Sequence, residues 1–363
     1  MGSISMEDHK KTLNTLREEM AGVNEAIMRH LNHFFSISNQ IGIVKNEMGL
    51  PHFDPVRESE MLKDILLKNR GPMPMDIMQR VFKEIFKSSV EEMGAGARRK
   101  LNVTRHPGKG GKVIDVDGVI IGGGRPVIIA GPCAVEYPEQ MMITATHLKK
   151  LGIRLLRGGA FKPRTSPYSF QGLGEDALKL LKEIATTLDM LVITEVLSSE
   201  DLPLIEKYAD ILQVGTRNMF NYSLLKSIGK IRKPVLLKRG FMATIDEFIL
   251  AAEYIYNGGN EQIILCERGI RTFETQTRNT LDISAIPILK METSLPVIVD
   301  ISHSLGRKDI VLPIAHASLA AGADGLMFES HFNPAAAWSD SQQQLDLKES
   351  ENLIRYLEKY FKF

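Results

Sequence analysis

Eight short apolar runs recur along the chain from residue 127 onward, and amphipathic stretches separate them. The runs are Val127–Ala130, Ile153–Leu156, Leu191–Thr194, Ile211–Val214, Val235–Leu237, Ile263–Leu265, Val297–Val299 and Leu326–Phe328. The stretches between them have helical patterning, as in 177–184 and 246–253. Eight strand-helix units in about 250 residues are typical of a (β/α)8 barrel. The pattern therefore predicts an α/β fold of the (β/α)8 TIM-barrel type.

An open, doubly wound sheet is the alternative architecture for alternating strands and helices. That fold needs a glycine-rich dinucleotide fingerprint after its first strand. The chain has Gly-Pro-Cys-Ala-Val-Glu at 131–136 instead, which does not match the fingerprint. A barrel is therefore favoured, and in a barrel the chemistry sits at the carboxyl ends of the strands.

Cationic residues follow several of the predicted strands. They are Arg157, Lys162, Arg164, Arg217, Lys238 and Arg268. Gly158 and Gly159 separate the first of them from the others and allow a ligand to approach the backbone. Such a cluster suits a small molecule that carries phosphate and carboxylate groups. A solvated basic loop is the alternative interpretation of the segment 157–167 taken alone.

A second set of strand ends carries possible metal ligands, namely Cys133, His303, Glu329 and, shortly beyond the last strand, Asp340. Each alone is compatible with a structural role. The first, seventh and eighth strands become neighbours when a barrel closes, so together these residues indicate a mixed S, N and O site for a borderline divalent ion. Cys266 has no such companions and is interpreted as structural.

The first ninety residues have a different pattern from the barrel segment. Apolar residues recur at three- and four-residue steps up to Met48, which predicts one amphipathic helix of roughly 35 to 40 residues. A helix of that length needs a partner helix, which a second copy of the chain could supply. Asp54-Pro55 begins a second helix that ends near Asn69, and a third runs from Met75 to Met93. An all-α three-helix domain is predicted over 6–93.

Residues 94–112 are rich in glycine and cations, and they are predicted to form a linker. The next segment, 113–122, has the pattern of a hairpin that turns at Asp117-Gly118. We expect this hairpin to cover the bottom of the barrel, whose domain is predicted over 113–363.

Overall charge and cysteine content argue against several classes of protein. The formal net charge of +1 lacks the basic excess of a nucleic-acid or membrane-surface protein. Two cysteines cannot form a disulfide framework, and no apolar run has the length of a membrane span. The expectation is a soluble, cytoplasmic protein.

The barrel segment closely resembles the 3-deoxy-D-arabino-heptulosonate 7-phosphate (DAHP) synthases, in the smaller type-I subclass that often carries a fused chorismate-mutase-like domain. The motifs that carry the resemblance are Gly-Pro-Cys-Ala-Val-Glu, Arg-Gly-Gly-Ala-Phe-Lys-Pro-Arg-Thr-Ser-Pro, Leu-Leu-Lys-Arg-Gly, Cys-Glu-Arg-Gly and Asp-Ile-Ser-His. The resemblance implies that Cys133, His303, Glu329 and Asp340 hold one divalent metal ion. Mn2+ is favoured, and Fe2+, Co2+ or Zn2+ also fit these ligands.

The same resemblance implies condensation of phosphoenolpyruvate (PEP) with erythrose 4-phosphate and release of phosphate. It assigns the PEP phosphate to Arg217, Arg268 and Lys238, the PEP carboxylate to Arg157, Lys162 and Lys238, and the sugar phosphate to Arg164, Thr165 and Ser166. The metal polarises the aldehyde. Lys162 is the candidate catalytic proton donor, because nearby cations disfavour a further positive charge on it.

Residues 7 to 93 resemble the all-helical chorismate mutases. The matching positions are Arg17, Lys45, Asp54, Arg57, Glu58 and Ser89. Phe34 and Met93 stand where the family has a second arginine and an ether-binding glutamine. The loss of two such groups would weaken transition-state stabilisation. We interpret the domain as a feedback sensor of chorismate or prephenate; an active mutase and a merely solvated helical dimer are the alternatives.

Two other functions are compatible with parts of the pattern. A 3-deoxy-octulosonate 8-phosphate synthase also uses PEP, but its sugar loop reads Lys-Ala-Asn-Arg-Ser where this chain has Lys-Pro-Arg-Thr-Ser. A non-catalytic sensor of PEP and chorismate would not need the complete ligand set. The long first helix predicts a homo-oligomer, at least a dimer and possibly a tetramer.

Overall fold

A computed structural model describes residues 6–48, 50–98, 101–105, 108, 110–162, 166 and 168–363. The chain divides into two compact units, Met1–Leu101 and Asn102–Phe363, which are described separately. Within the described residues, no helix is both long and apolar enough to cross a bilayer.

The N-terminal unit consists of three helices: α1 Met6–Glu47, α2 Pro55–Lys68 and α3 Met75–Arg98. This confirms the predicted all-helical unit. Asp54 caps α2 as expected, because its carboxylate accepts a hydrogen bond of 3.0 Å from the Arg57 amide and Pro55 occupies the first helical position.

The helix α1 is covered only along part of its length. Phe34 stacks on Phe86 of α3, with ring centroids 6.2 Å apart. By contrast, four apolar residues nearer its start, Leu13, Leu16, Met20 and Val23, are 48 to 60% exposed. No other described element of the N-terminal unit buries them, so this stripe remains open within the unit.

The structure differs from the predicted linker in two respects. Helix α3 continues through Arg98, five residues beyond the expected end at Met93, because alanine and arginine sustain a helix and isolated glycines are tolerated. In addition, Val103 is fully buried and its amide donates to Glu253 Oε2 at 3.1 Å. The barrel unit therefore begins near residue 102, while His106, Pro107 and Lys109 lie outside the described residues.

The barrel unit contains ten strands and nine helices among its described residues. The strands are β1 Ile114–Val116, β2 Val119–Ile121, β3 Val127–Gly131, β4 Leu155–Arg157, β5 Leu191–Val196, β6 Ile211–Val214, β7 Val235–Lys238, β8 Ile263–Glu267, β9 Val297–Asp300 and β10 Gly325–Glu329. The helices are α4 Pro138–Lys150, α5 Glu175–Thr187, α6 Leu202–Tyr208, α7 Tyr222–Ile228, α8 Ile245–Asn257, α9 Ala285–Glu292, α10 Ile301–Leu305, α11 Val311–Ala320 and α12 Leu347–Leu357.

Eight parallel strands close into a barrel in the order β10-β3-β4-β5-β6-β7-β8-β9. All eight predicted strands are confirmed. Six of them extend one or two residues beyond the predicted runs, whereas β4 begins two residues late, at Leu155, because the amide of Ile153 donates back to Leu148 O at 3.1 Å. Closure makes β3 a neighbour of β10, so the first and last strands end side by side.

The predicted hairpin is β1–β2, and it turns at Asp117 (φ 47°) and Gly118 (φ 81°). Ile114, Val116 and Ile121 pack against the apolar side chains inside the barrel. The hairpin therefore adds to the barrel core, and the carboxyl ends of the strands carry the polar side chains described next.

Candidate active site

Three of the four predicted metal ligands meet at the carboxyl ends of β3 and β10. Ligand atoms of Cys133, Glu329 and Asp340 all lie within 4.8 Å of one another. The Cys133 thiol donates to Asp340 Oδ2 at 3.3 Å. The fourth ligand, His303, is adjacent, with its Nε2 atom 3.5 Å from Glu329 Oε1.

The orientation of the His303 ring is set by Asp300 at the end of β9. Nδ1 lies 2.8 Å from Asp300 Oδ2, and the His303 amide donates to Oδ1 at 3.0 Å. Burial would raise the pKa of Asp300, but His303 and Lys238 hold that pKa well below its ordinary value. The ionised carboxylate therefore accepts the Nδ1 proton, which leaves the Nε2 lone pair free to bind a metal.

Burial also sets the protonation of two ligands. It lowers the pKa of His303 to about 4, although Asp300 and Glu329 oppose the shift, so the imidazole is neutral near pH 7. Burial, followed by the charge of Glu329, raises the pKa of the Cys133 thiol to about 12. A metal ion that bound here would displace the thiol proton.

The donor set fits a divalent metal. Glu329 Oε1 is buried and accepts no hydrogen bond from any described residue, while it faces His303 and lies 3.0 Å from Arg157 Nη2. Its ion pair with Arg157 already compensates part of the carboxylate charge, and a carboxylate oxygen keeps a further lone pair with which it can bind a metal. One sulfur, one nitrogen and carboxylate oxygens match the ligand preferences of Mn2+, Fe2+, Co2+ or Zn2+.

A polar cavity rich in cations lies beside these ligands. Its lining includes Lys162, Arg217, Lys238, Phe241, Arg268, Arg278, His303 and Asp340. The guanidinium groups of Arg268 and Arg217 lie 4.9 and 5.7 Å from the centroid of the Phe241 ring. Arg268 is buried, whereas Arg217 is exposed. The cavity therefore joins the predicted phosphate-binding cations to the metal ligands.

Two buried guanidinium groups have donors to spare. Nε and Nη1 of Arg157 and Nε of Arg268 have no hydrogen-bond partner among the described residues. Burial lowers the pKa of Arg268 to about 10, so this side chain remains charged near pH 7. Arg268 lines the cavity, so its free Nε could donate to an anion bound there.

Lys162 connects the two parts of the site. Its Nζ atom donates to Cys133 Sγ and to Cys133 O, each at 2.9 Å. Of the three residues predicted to bind the sugar phosphate, one lies within the described residues. Ser166 is exposed and its Oγ accepts from the Tyr168 amide at 3.3 Å, while Arg164 and Thr165 lie outside the described residues.

In the N-terminal unit, the predicted effector residues have separate local partners. Lys45 Nζ donates to His52 O at 2.9 Å. Ser89 Oγ donates to Phe86 O at 2.8 Å. Arg57 pairs with Glu60 at 3.3 Å, and Arg17 is exposed. The role of these residues, together with Asp54 and Glu58, stays a prediction.

Sequence reasoning assigned no role to four residues that touch the predicted ligands. Asp300 could have been found, because a carboxylate three residues before His303 at a strand end can reach its ring. Arg278, Gln343 and Gln344 carried no such signal, since they lie in long loops and reach the site only through the fold.

The comparisons with known proteins agree with this geometry. Residues 100–362 match the DAHP synthetase I family, and residues 16–93 match chorismate mutase type II. Phospho-2-dehydro-3-deoxyheptonate aldolase of Thermotoga maritima is 56% identical over 247 residues, which cover 68% of this chain and 73% of the relative.

A solved structure and a more distant relative complete the comparison. The crystal structure of the Thermotoga maritima enzyme, which its description also names DAHP synthase, superposes with a TM-score of 0.69 at 54% identity, covering 71% of this chain and 76% of that one. A 2-dehydro-3-deoxyphosphooctonate aldolase of Acidithiobacillus ferrooxidans is only 30% identical over 250 residues, which cover 64% of this chain and 88% of the relative. The chain belongs to the DAHP synthetase I family, carries a chorismate mutase type II domain in its N-terminal unit, and is a 3-deoxy-7-phosphoheptulonate synthase.

Proposed function

We propose that this synthase requires a divalent metal held by Cys133, His303, Glu329 and Asp340. The observation that carries the proposal is the convergence of these four side chains: ligand atoms of Cys133, Glu329 and Asp340 lie within 4.8 Å of one another, and His303 Nε2 lies 3.5 Å from Glu329 Oε1. A metal bound there would supply Lewis-acid polarisation of the aldehyde oxygen of erythrose 4-phosphate.

The cations of the neighbouring cavity would hold PEP. We assign its phosphate to Arg217, Arg268 and Lys238, and its carboxylate to Arg157 with Lys162 and Lys238. The free donors of Arg157 and Arg268 support this assignment, because each can form a charge-assisted hydrogen bond without losing an existing one.

Lys162 is proposed as the proton donor. The enol carbon of PEP forms a bond to the aldehyde carbon, and the aldehyde oxygen receives a proton from the ammonium group. The position of Nζ, 2.9 Å from the predicted ligand Cys133, supports this role. The new carbon–carbon bond leaves positive charge on the second carbon of PEP. Water adds there and gives one proton back to the Lys162 amine. Phosphate then leaves by cleavage of the C–O bond and takes the remaining hydroxyl proton, which leaves the ketone. Arg164, Thr165 and Ser166 would bind the sugar phosphate.

Metal removal is the direct test. We expect EDTA to lower the rate of phosphate release at least about 1,000-fold and stoichiometric Mn2+ to restore it, because the aldehyde loses its Lewis acid. Phosphate release is measured with PEP and erythrose 4-phosphate, and circular dichroism controls for unfolding. Full activity in a chelated sample that contains no metal by elemental analysis would contradict metal dependence.

We infer that the N-terminal unit senses chorismate or prephenate and does not turn them over at a useful rate. At two positions where the mutases carry polar side chains, this chain has apolar side chains that pack within the N-terminal unit. Phe34 stacks on Phe86, and Met93 lies against Gly42, where an added Cβ would be 3.0 Å from Met93 Cγ. The exposed stripe at the start of α1 supports a dimer formed through this helix.

Removal of residues 1–101 is expected to abolish inhibition of the synthase by prephenate and to change uninhibited turnover by less than about threefold, because the predicted effector residues all precede the barrel unit. Phosphate release is measured with and without prephenate in both proteins. Inhibition that survives the deletion would place the effector site on the barrel. Loss of chorismate absorbance well above background in the full-length protein would show an active mutase instead.

A further inference from the structure

Two consecutive glutamines, Gln343 and Gln344, lie in the loop that follows β10, and both side chains are buried. Gln344 Oε1 accepts from the Cys133 amide at 3.0 Å, and its Nε2 donates to Ser339 O at 2.9 Å. It therefore ties the loop that carries Asp340 to the loop that carries Cys133. Gln343 precedes Gln344 in this loop, and its side-chain amide lies against the carboxylate of Glu329.

The Gln343 amide joins two groups of opposite charge. Nε2 donates to Glu329 Oε2 at 2.6 Å, and Oε1 accepts from Arg278 Nη1 at 2.7 Å. A neutral amide is suited to this position because it offers one donor face and one acceptor face. A glutamate would repel Glu329, and a lysine would repel Arg278. An apolar residue would leave both partners without their bond.

The bond from Gln343 and an ion pair with Arg157 together orient the Glu329 carboxylate. Oε2 is occupied by Gln343, whereas Oε1 accepts no hydrogen bond from the described residues and lies 3.5 Å from His303 Nε2. Without the side-chain amide, the carboxylate would keep the ion pair of Oε1 with Arg157 at 3.0 Å but lose the bond at Oε2, and its last torsion has a broad energy profile. Gln343 thus holds one oxygen toward the ligand cluster.

The bond to Arg278 acts on the second carboxylate. Nη1 of Arg278 lies 3.6 Å from Asp340 Oδ2, close enough for a favourable charge interaction. The Gln343 oxygen therefore helps to hold the guanidinium at Asp340. Asp340 also has a positive φ of 49°, which is uncommon for a residue other than glycine, and the backbone N–H of Gln343 donates to its carbonyl at 3.3 Å, a bond that does not depend on the Gln343 side chain.

We propose that Gln343 is a positioning residue of the metal site, which orients the carboxylates of Glu329 and Asp340 before the metal binds. The inference depends on the proposed metal requirement. Gln343 itself is not a ligand in this proposal, because both ends of its amide are already bonded. Residues that orient metal ligands in this way typically contribute about 10- to 100-fold to metal affinity.

The test is Gln343→Met in the full-length, metal-free protein, since methionine keeps the length of the side chain and removes the amide. Co2+ is the probe, and its dissociation constant is measured by competition with a chromophoric chelator. We expect affinity to fall about 10- to 100-fold, with the thiolate-to-cobalt absorption of Cys133 still present at saturation. Gln342→Met is the matched control, because Gln342 is the exposed neighbour in the same loop, and it should bind Co2+ like wild type.

Gln343→Asn provides a second variant. Asparagine keeps the amide group, but its side chain is one methylene shorter, so the amide lies farther from its partners. It should fold even if methionine is not tolerated, and it should weaken Co2+ binding in the same direction. Affinity within about threefold of wild type in the folded variants would overturn the role of Gln343. Failure of the wild-type protein to bind Co2+ would instead contradict the metal site itself, so the two failures are distinguishable.

Discussion

Replacement of Cys133 by alanine is expected to lower synthase turnover by at least about 1,000-fold, the largest effect of any single change in this chain. The thiol is one of four predicted ligands, and its Sγ atom contacts both Asp340 and Lys162. Loss of several kcal/mol of Lewis-acid stabilisation corresponds to a rate factor of that size. Turnover is measured by phosphate release at saturating PEP and erythrose 4-phosphate.

The other cysteine of the chain is the matched control. Cys266 is also fully buried and burial also raises the pKa of its thiol to about 12, but it packs with the apolar side chains inside the barrel. Cys266→Ala should reduce thermal stability slightly and retain metal binding and turnover. If Cys133→Ala and Cys266→Ala lost activity equally, the thiol of Cys133 would have no special role and the proposed ligand set would be wrong.

Replacement of Arg268 by methionine is expected to raise the KM for PEP about 100- to 1,000-fold. Arg268 is buried, donates through Nη2 to His303 O at 3.1 Å, and keeps Nε free of any described partner. Removal of one member of a buried, hydrogen-bonded charge pair typically costs about 2 to 5 kcal/mol. Steady-state kinetics with PEP varied at saturating erythrose 4-phosphate measure the effect.

Arg271 is the control for this change. Its guanidinium lies 4.4 Å from the centroid of the same Phe241 ring, closer than that of Arg268, but the side chain is exposed. Arg271→Met should change the KM for PEP by less than about threefold, because Arg271 is not among the described residues that line the cavity. Equal effects of the two substitutions would indicate that general positive charge near Phe241 attracts PEP and that Arg268 makes no specific contact.

Much of the barrel could be predicted from the sequence because its signals are local. A buried parallel strand is a short apolar run, and all eight runs are strands in the structure. The errors fall where two local signals compete. Helix α3 passes the expected boundary at Met93 because alanines outweigh the glycines beside them, and β4 starts late because Ile153 still bonds to the end of α4.

The candidate ligands could also be predicted, since each lies at or just beyond the carboxyl end of a strand, and barrel closure places the ends of β3 and β10 side by side. Their supporting contacts could not. Asp300, Arg278 and Gln343 reach the ligands through side-chain geometry, and a glutamine in a loop has no distinctive pattern in the sequence. The hydrogen bond from Gln343 to Glu329 joins residues 14 positions apart in the sequence, and that separation does not by itself predict a contact.

By itself, the sequence of this protein determined the eight strands, the three-helix unit and the residue types able to bind a metal and an anion, because periodicity and composition act over neighbouring residues. Only the tertiary structure decided which oxygen of Glu329 faces His303. It alone also placed the Lys162 ammonium group within hydrogen-bond distance of Cys133 Sγ. The physical reason is distance along the chain. Cys133 and Asp340 are 207 residues apart, and only closure of the barrel brings their side chains within 3.3 Å.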